Sequence, residues 1–143
     1  MSIKIMKIVF LFLVAVTFAG CQNSTPITSN DCVTHEDLKV QMQVTIVIVA
    51  NGTPMMLPPN IGIEPECTKA LHTHDGSSIV YVESPDRKEF TLLDFMEVWG
   101  DQNPYRELPE IKISLNGELF SGDFEDLILK DGDRIVVDYR DAR

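Results

Sequence analysis

The stretch Val40 to Ala50, VQMQVTIVIVA, sets the architecture. Val40, Met42, Val44, Ile46 and Ile48 alternate with Gln41, Gln43, Thr45 and Val47. That period of two sends successive side chains to opposite faces of a strand. From Val44 to Ala50 both faces are apolar, as in a strand with neighbours on either side. Asn51-Gly52 follows, a pair that accepts the positive φ of a tight hairpin, and Thr53 to Leu57 reads as the returning strand. Pro58-Pro59 ends the pairing, because proline has no amide hydrogen for a ladder.

The second informative stretch runs from Cys67 to Gly100, with two of the three histidines and the single Trp. Asp75-Gly76 suits a tight turn with positive φ. Ser78 to Glu83 (SIVYVE), rich in β-branched and aromatic residues, reads as the next strand. A helix then starts with Thr91 as N-cap and Asp94 three residues on, a near relative of the capping box, with Phe90 and Phe95 placed for a hydrophobic staple. Leu92, Phe95, Met96 and Trp99 share one helical face, and Gly100 closes the helix. Ile111, Ile113 and Leu115 alternate into another strand, Asn116-Gly117 marks a second hairpin, and Glu118 to Phe120 begins the return. Phe124 and Leu127 to Leu129 form an apolar patch. Asp131-Gly132-Asp133 makes a turn, and Ile135, Val137 and Tyr139 give one face of the last strand.

The order hairpin, strand, helix, hairpin, strand predicts a small α+β domain, one short helix laid across a mixed β-sheet. It resembles the β-grasp (ubiquitin-like) fold, and LKDGDRIVVDY is similar to the closing turn and strand of that fold's sulfur carriers. Those carriers end in Gly-Gly and this chain in Asp141-Ala142-Arg143, so the resemblance does not extend to carrier function.

The leader gives an address. Lys4 and Lys7 precede the apolar run Ile8 to Phe18, too short to span a bilayer but suited to a signal peptide. Phe18-Ala19-Gly20-Cys21 resembles the lipobox of bacterial lipoproteins, with Phe18 where an aliphatic residue is usual. The division expected is a signal peptide over 1–20, a polar tether over 21–38 starting at a diacylated Cys21, and one domain over 39–143; plain secretion with cleavage near Gly20 is the other reading. Two or more acyl chains suffice for durable attachment. Gln22, in place of the Asp that retains Gram-negative lipoproteins at the inner membrane, implies an outer-membrane address. Without Lys4 and Lys7, 10 basic residues face 22 acidic ones, a net charge of −12. Such a surface repels phosphate backbones and anionic headgroups, which disfavours nucleic acid. With Cys21 acylated, Cys32 and Cys67 remain in an oxidising compartment. A disulfide between them is expected to stabilise by roughly 3–4 kcal/mol; the competing use of Cys67 is as a metal ligand.

His72 and His74, two apart on a strand, present two imidazoles to one point, with Asp75 able to fix a tautomer from behind. Glu83 or Cys67 would complete a zinc or copper site. An H-x-H pair beside a turn is also a common hydrogen-bonded structural feature. His35, near the tether, reads as solvated. LHTHD is similar to the opening metal motif of PHP phosphoesterases and to the H-x-H of amidohydrolases. Both need a barrel of some 200 residues or more, against about 110 after the tether here. No Ser-His-acid pattern, phosphate loop or carboxylate pair stands out, so the sequence leans away from an enzyme.

Cys32, Ile61-Gly62-Ile63, Cys67, Leu71 to Asp75, Glu83-Ser84-Pro85, Phe90-Thr91-Leu92, Trp99-Gly100 and Leu115-Asn116-Gly117 together resemble an uncharacterised family of secreted or anchored bacterial and archaeal domains. Its pattern runs C…IGI…C…LHTHD…ESP…FTL…WG…NG. The family tends to carry histidines where this chain has Lys39, Gln41, Gln43 and Tyr81, so of any histidine cluster only His72 and His74 remain. The resemblance implies fold and location, not an activity. The expected function is that of a lipid-anchored extracytoplasmic module that binds a partner in the cell envelope or has a structural role there; the alternative is periplasmic zinc or copper binding through His72 and His74.

Overall fold

The structure, a computed structural model, describes residues 27–108 and 110–141. Cys21, its lipobox and the apolar leader lie outside them. Ten strands and one helix follow in chain order: β1 (Cys32–Val33), β2 (Val40–Ala50), β3 (Thr53–Met55), β4 (Ile63–Glu64), β5 (Cys67–Lys69), β6 (Leu71–His72), β7 (Ile79–Ser84), α1 (Leu92–Trp99), β8 (Glu110–Leu115), β9 (Glu118–Phe120) and β10 (Arg134–Arg140). The chain is an α+β domain built on a mixed sheet with a single short helix, as the element order predicts. Among the described residues no helix is long and apolar enough to cross a membrane.

The main sheet has the order β6-β7-β2-β10-β8-β9. β2 is central. It pairs in parallel with β10, from Thr45 opposite Arg134 to Ala50 opposite Tyr139. On its other edge the first half pairs antiparallel with β7 and the last three residues with β3. A parallel pair needs a crossover to reverse the chain, and β7 followed by α1 supplies it. Both Asn-Gly hairpins form, with positive φ at Asn51, Gly52, Asn116 and Gly117.

One face of this sheet is the core. Val44, Ile46 and Ile48 of β2, Val80 and Val82 of β7, Ile113 of β8, and Ile135, Val137 and Tyr139 of β10 are buried there. The helix covers them with Leu92, Phe95, Val98 and Trp99. Val98, not Met96, completes the buried stripe; Met96 sits at its margin, with Sδ 3.8 Å from the Tyr139 hydroxyl. The capping box is complete: the Asp94 N–H donates to Thr91 Oγ1 at 3.3 Å, and the Thr91 N–H donates to Asp94 Oδ2 at 2.8 Å. The apolar patch around Leu127 is stitched to the helix start, since Leu92 N–H donates to Leu127 O and Leu129 N–H to Phe90 O.

The opposite face is open. Thr45, Val47 and Val49 of β2, Ile79, Tyr81 and Glu83 of β7, and Val136 and Asp138 of β10 are each only half-buried. The apolar character of β2 on both sides therefore reflects one packed face and one uncovered one, the usual arrangement where the helix lies on a single side.

Three features depart from the sequence reading. The Asp75-Gly76 turn takes its positive φ at Ser78, where φ is 65°, because the Asp75 carboxylate accepts the Ser77 N–H at 2.9 Å and turns the chain by itself. A small sheet, β1-β5-β4, stands beside the main one. The span 21–38 is not a tether throughout, since Ser29 and Val33 are buried and Cys32–Val33 form β1. The folded body thus takes in residues ahead of Lys39.

Cys32 and Cys67 form a disulfide with a sequence separation of 35, joining β1 to β5. It removes Cys67 from any metal ligand set. The Cys32→Ser/Cys67→Ser double variant is expected to lose roughly 3–4 kcal/mol, the loop-closure entropy for a loop of this length. Urea denaturation at fixed pH measures this; an unchanged midpoint would show that the crosslink restrains nothing.

Candidate functional site

At the edge of the sheet, β6 carries His72, and the chain then turns out through Thr73 and His74. The imidazoles of His72 and His74 lie with centroids 4.8 Å apart, edge to face. Tyr81, opposite His72 in the β6–β7 ladder, stacks on His72 at 5.7 Å and meets His74 edge-on at 4.7 Å. His35 reaches in from the segment between β1 and β2, its ring 6.3 Å from that of His72. Its Nδ1 lies 2.8 Å from Glu83 Oε2. All three histidines, Tyr81 and Glu83 therefore form one cluster.

The His72 ring is fully buried. Its Nδ1 lies 3.0 Å from the Lys69 carbonyl oxygen, which can only accept, so Nδ1 carries the hydrogen and donates. That fixes the tautomer and leaves Nε2 as a bare acceptor. Nε2 is buried and has no hydrogen-bond partner. Burial holds the His72 pKa below its ordinary value of 6.5, and the Lys69 carbonyl and the Glu83 charge oppose this less strongly. The ring is neutral at pH 7. The other two histidines are exposed.

Thr73, between the two histidines, is also fully buried and has a structural task. Its hydroxyl donates to Pro58 O at 2.9 Å and accepts the Ile61 N–H at 3.0 Å. Its N–H donates to Ile61 O, and its carbonyl accepts the Asn60 N–H. These four bonds clamp loop 58–62 onto the strand that carries the imidazoles. Gly62, the middle residue of Ile-Gly-Ile, has φ 71°, and a Cβ there would stand 2.3 Å from Leu71 O and 3.3 Å from His72 Cβ. Glycine is needed for both conformation and clearance.

The metal set expected from sequence, His72, His74 and Glu83 with Cys67 in reserve, does not assemble as a unit. Cys67 is crosslinked, and Glu83 turns its carboxylate to His35. Among the described residues no group of three or more His, Cys, Asp or Glu side chains is placed to hold a metal ion. Asp75 does not orient an imidazole: its oxygen serves the Ser77 turn, and the Lys69 carbonyl does the orienting. His35 is exposed, as expected, but belongs to the cluster. Nothing local in the sequence marks it, since only the fold brings residue 35 to residue 83.

Beside the cluster the open sheet face forms a cleft of about 610 Å³ lined by Gln41, Gln43, Thr45, Ile79, Tyr81, Glu83 and Asp131, among others. Tyr81 and Glu83 belong to both. Two further hollows lie between α1 and the β8–β9 hairpin, about 530 Å³ and 310 Å³, and share Leu93, Ile111 and Phe124. Neither holds a histidine or a cysteine.

Comparison with known proteins returned no matching family model, no matching curated protein and no matching solved structure.

Two outcomes test this geometry. Because the folded-state pKa of His72 lies below the unfolded value, the unfolded chain binds more protons as pH falls through 6.5. Stability is expected to drop with acid from about that pH downward, and a His72→Gln variant to lose that part of the slope in thermal melts at pH 5 to 8. Gly62→Ala is expected to cost about 2 kcal/mol or more by displacing β6; a neutral result in urea titration would mean that loop and strand do not meet as described.

Proposed function

We propose that the chain is a lipid-anchored, extracytoplasmic binding module, not an enzyme, and that it engages its ligand where the imidazole cluster borders the cleft on the open sheet face. The observation carrying this reading is the meeting of the two at Tyr81 and Glu83. A buried imidazole with an unused acceptor lies on one side, and on the other lie the exposed amides of Gln41 and Gln43 with the half-buried Thr45 hydroxyl and Glu83 carboxylate. Few polar groups converging at the edge of an apolar face is the general character of a recognition site.

The address rests on the Ile8–Phe18 run and the Ala19-Gly20-Cys21 ending, with Gln22 favouring the outer membrane. The β-grasp reading is supported by the central parallel β2–β10 pair and by the helix between β7 and β8. Kinship with the anchored family rests on the IGI and LHTHD segments, which the fold joins through Gly62 and Thr73.

Diethyl pyrocarbonate acylates accessible imidazoles, and His35 and His74 are exposed in the free domain. In intact envelopes both are expected to be protected relative to the purified protein. Equal labelling in the two settings would leave the face without a ligand and refute the reading. Cys21→Ser is expected to move the protein from the membrane to the soluble extracytoplasmic fraction; a variant still bound to membrane would remove the lipid anchor from the account.

A further inference from the structure

We infer that the cleft on the open sheet face takes a neutral saccharide chain, laid along β7 and β2 beside the imidazole cluster. The inference rests on the reading of this rim as the binding site and names the chemical class of its ligand. The cleft, about 610 Å³, has the size of a small-molecule site. The β2–β7 register sets its floor, with Gln41 opposite Glu83, Gln43 opposite Tyr81 and Thr45 opposite Ile79. These six share the open face, because Met42, Val44, Val80 and Val82, which alternate with them, pack into the core. Three cross-strand rows therefore follow one another at intervals of about 7 Å, a length that suits a chain of sugar rings more than a single one.

The rows carry hydrogen-bonding capacity that the fold does not use. Among the described residues, the side-chain amides of Gln41 and Gln43 and the hydroxyls of Thr45 and Tyr81 have no partner. An amide offers a donor and an acceptor side by side, and a hydroxyl does both. A sugar hydroxyl also donates and accepts, so it matches them in either sense. The C–H face of a sugar ring needs a flat surface with little polarity. Tyr81 supplies one in the middle row, held in place by stacking on the buried His72 at 5.7 Å with 14° between the planes. Ile79 supplies the next.

Charge and backbone pairing narrow the class. Among the described residues, those that line the cleft include Glu83 and Asp131 but no Lys or Arg. Both carboxylates accept from hydroxyls and repel phosphate, sulfate and uronate groups, as does the net charge of −12 left without Lys4 and Lys7. An apolar ligand would leave the amides and carboxylates unpaired. An extended peptide adds to a free sheet edge, and here β2 is paired on both sides and β7 lies between β6 and β2. A neutral ligand rich in hydroxyls is the class that meets all of these conditions.

The test is calorimetric titration of the full chain carrying Cys21→Ser. Chitotetraose and cellotetraose are the neutral probes, tetragalacturonate the anionic one and spermidine the cationic one. At least one neutral tetrasaccharide is expected to bind, and more tightly than its own monosaccharide. The deciding variant is Gln41→Ala/Gln43→Ala, because both side chains are exposed and their loss leaves the core intact. It is expected to lower the affinity about tenfold or more while leaving the urea midpoint unchanged. Leu119→Ser, on the edge strand β9, is expected to bind as the parent does. Four results would each overturn the inference: neither neutral probe bound, a monosaccharide bound as well as its tetramer, equal affinity in the double variant, or tighter binding of tetragalacturonate or spermidine. The envelope footprint keeps the two readings apart. Protection of His35 and His74 in envelopes, with no tetrasaccharide bound in solution, would reject the saccharide and keep the binding module. A tetrasaccharide bound in solution, with equal labelling in the two settings, would keep the cleft's chemistry and reject an envelope ligand.

Discussion

The parallel pairing of β2 with β10 is the constraint on which the rest of the fold depends. It joins residues 45–50 to residues 134–139, so it closes only after nearly the whole domain has been threaded through. Strands running the same way demand a crossover, and that is why α1 sits between β7 and β8. The helix is only 8 residues long, too short to persist alone. It holds because Leu92, Phe95, Val98 and Trp99 are buried against the face that the parallel pair presents. Pairing and packing therefore form together or not at all.

The same constraint explains the open face. With one helix to cover one side, the residues of β2, β7 and β10 that point the other way stay half-exposed, although Val47, Val49, Ile79 and Val136 are apolar. This is a reservoir of unused burial beside the imidazole cluster. The apolar run in β2 signals a central strand correctly, but being central in the ladder and being covered on both faces are separate properties. The first depends on backbone pairing, the second on what the remaining chain has to lay over it.

What was legible in the sequence follows from the range of the interactions involved. Asn51-Gly52, Asn116-Gly117 and the Thr91–Asp94 capping box act within four residues, and each forms as its local chemistry dictates. The α+β class was legible because the periods of two and 3.6 alternate clearly along the chain. The β1-β5-β4 sheet was not, since strands of two or three residues have no period to detect and are set by the Cys32–Cys67 crosslink and by the loop that Thr73 holds. Asp75-Gly76 misled because the Asp side chain, not the Gly backbone, makes the turn. In the candidate site, the proximity of His72 and His74 was visible as an H-x-H pair. The place of His35 was not, and neither was the diversion of Glu83 to it, because that contact spans 48 residues.

The middle of the H-x-H pair separates structural from ligand-binding roles. Thr73 satisfies four bonding groups of loop 58–62 and of its own backbone, so the segment would be needed for stability even if its histidines did nothing. Stability does not account for His72, however. A buried acceptor without a partner costs about 1–3 kcal/mol, and an apolar side chain of similar volume would avoid that cost. Among the described residues two other buried side-chain atoms lack partners, Trp99 Nε1 and Asp138 Oδ1, but their settings differ. The indole belongs to the buried helix face, and the other oxygen of Asp138 accepts from Arg140. Only at His72 does the unsatisfied atom have a fixed tautomer behind it and an exposed imidazole beside it. A rigid frame of Gly62, Thr73 and the Lys69 carbonyl holds that nitrogen in place before any ligand arrives, and such preorganisation lowers the ordering cost of binding. The frame and the unused nitrogen together favour a site over an accident of packing.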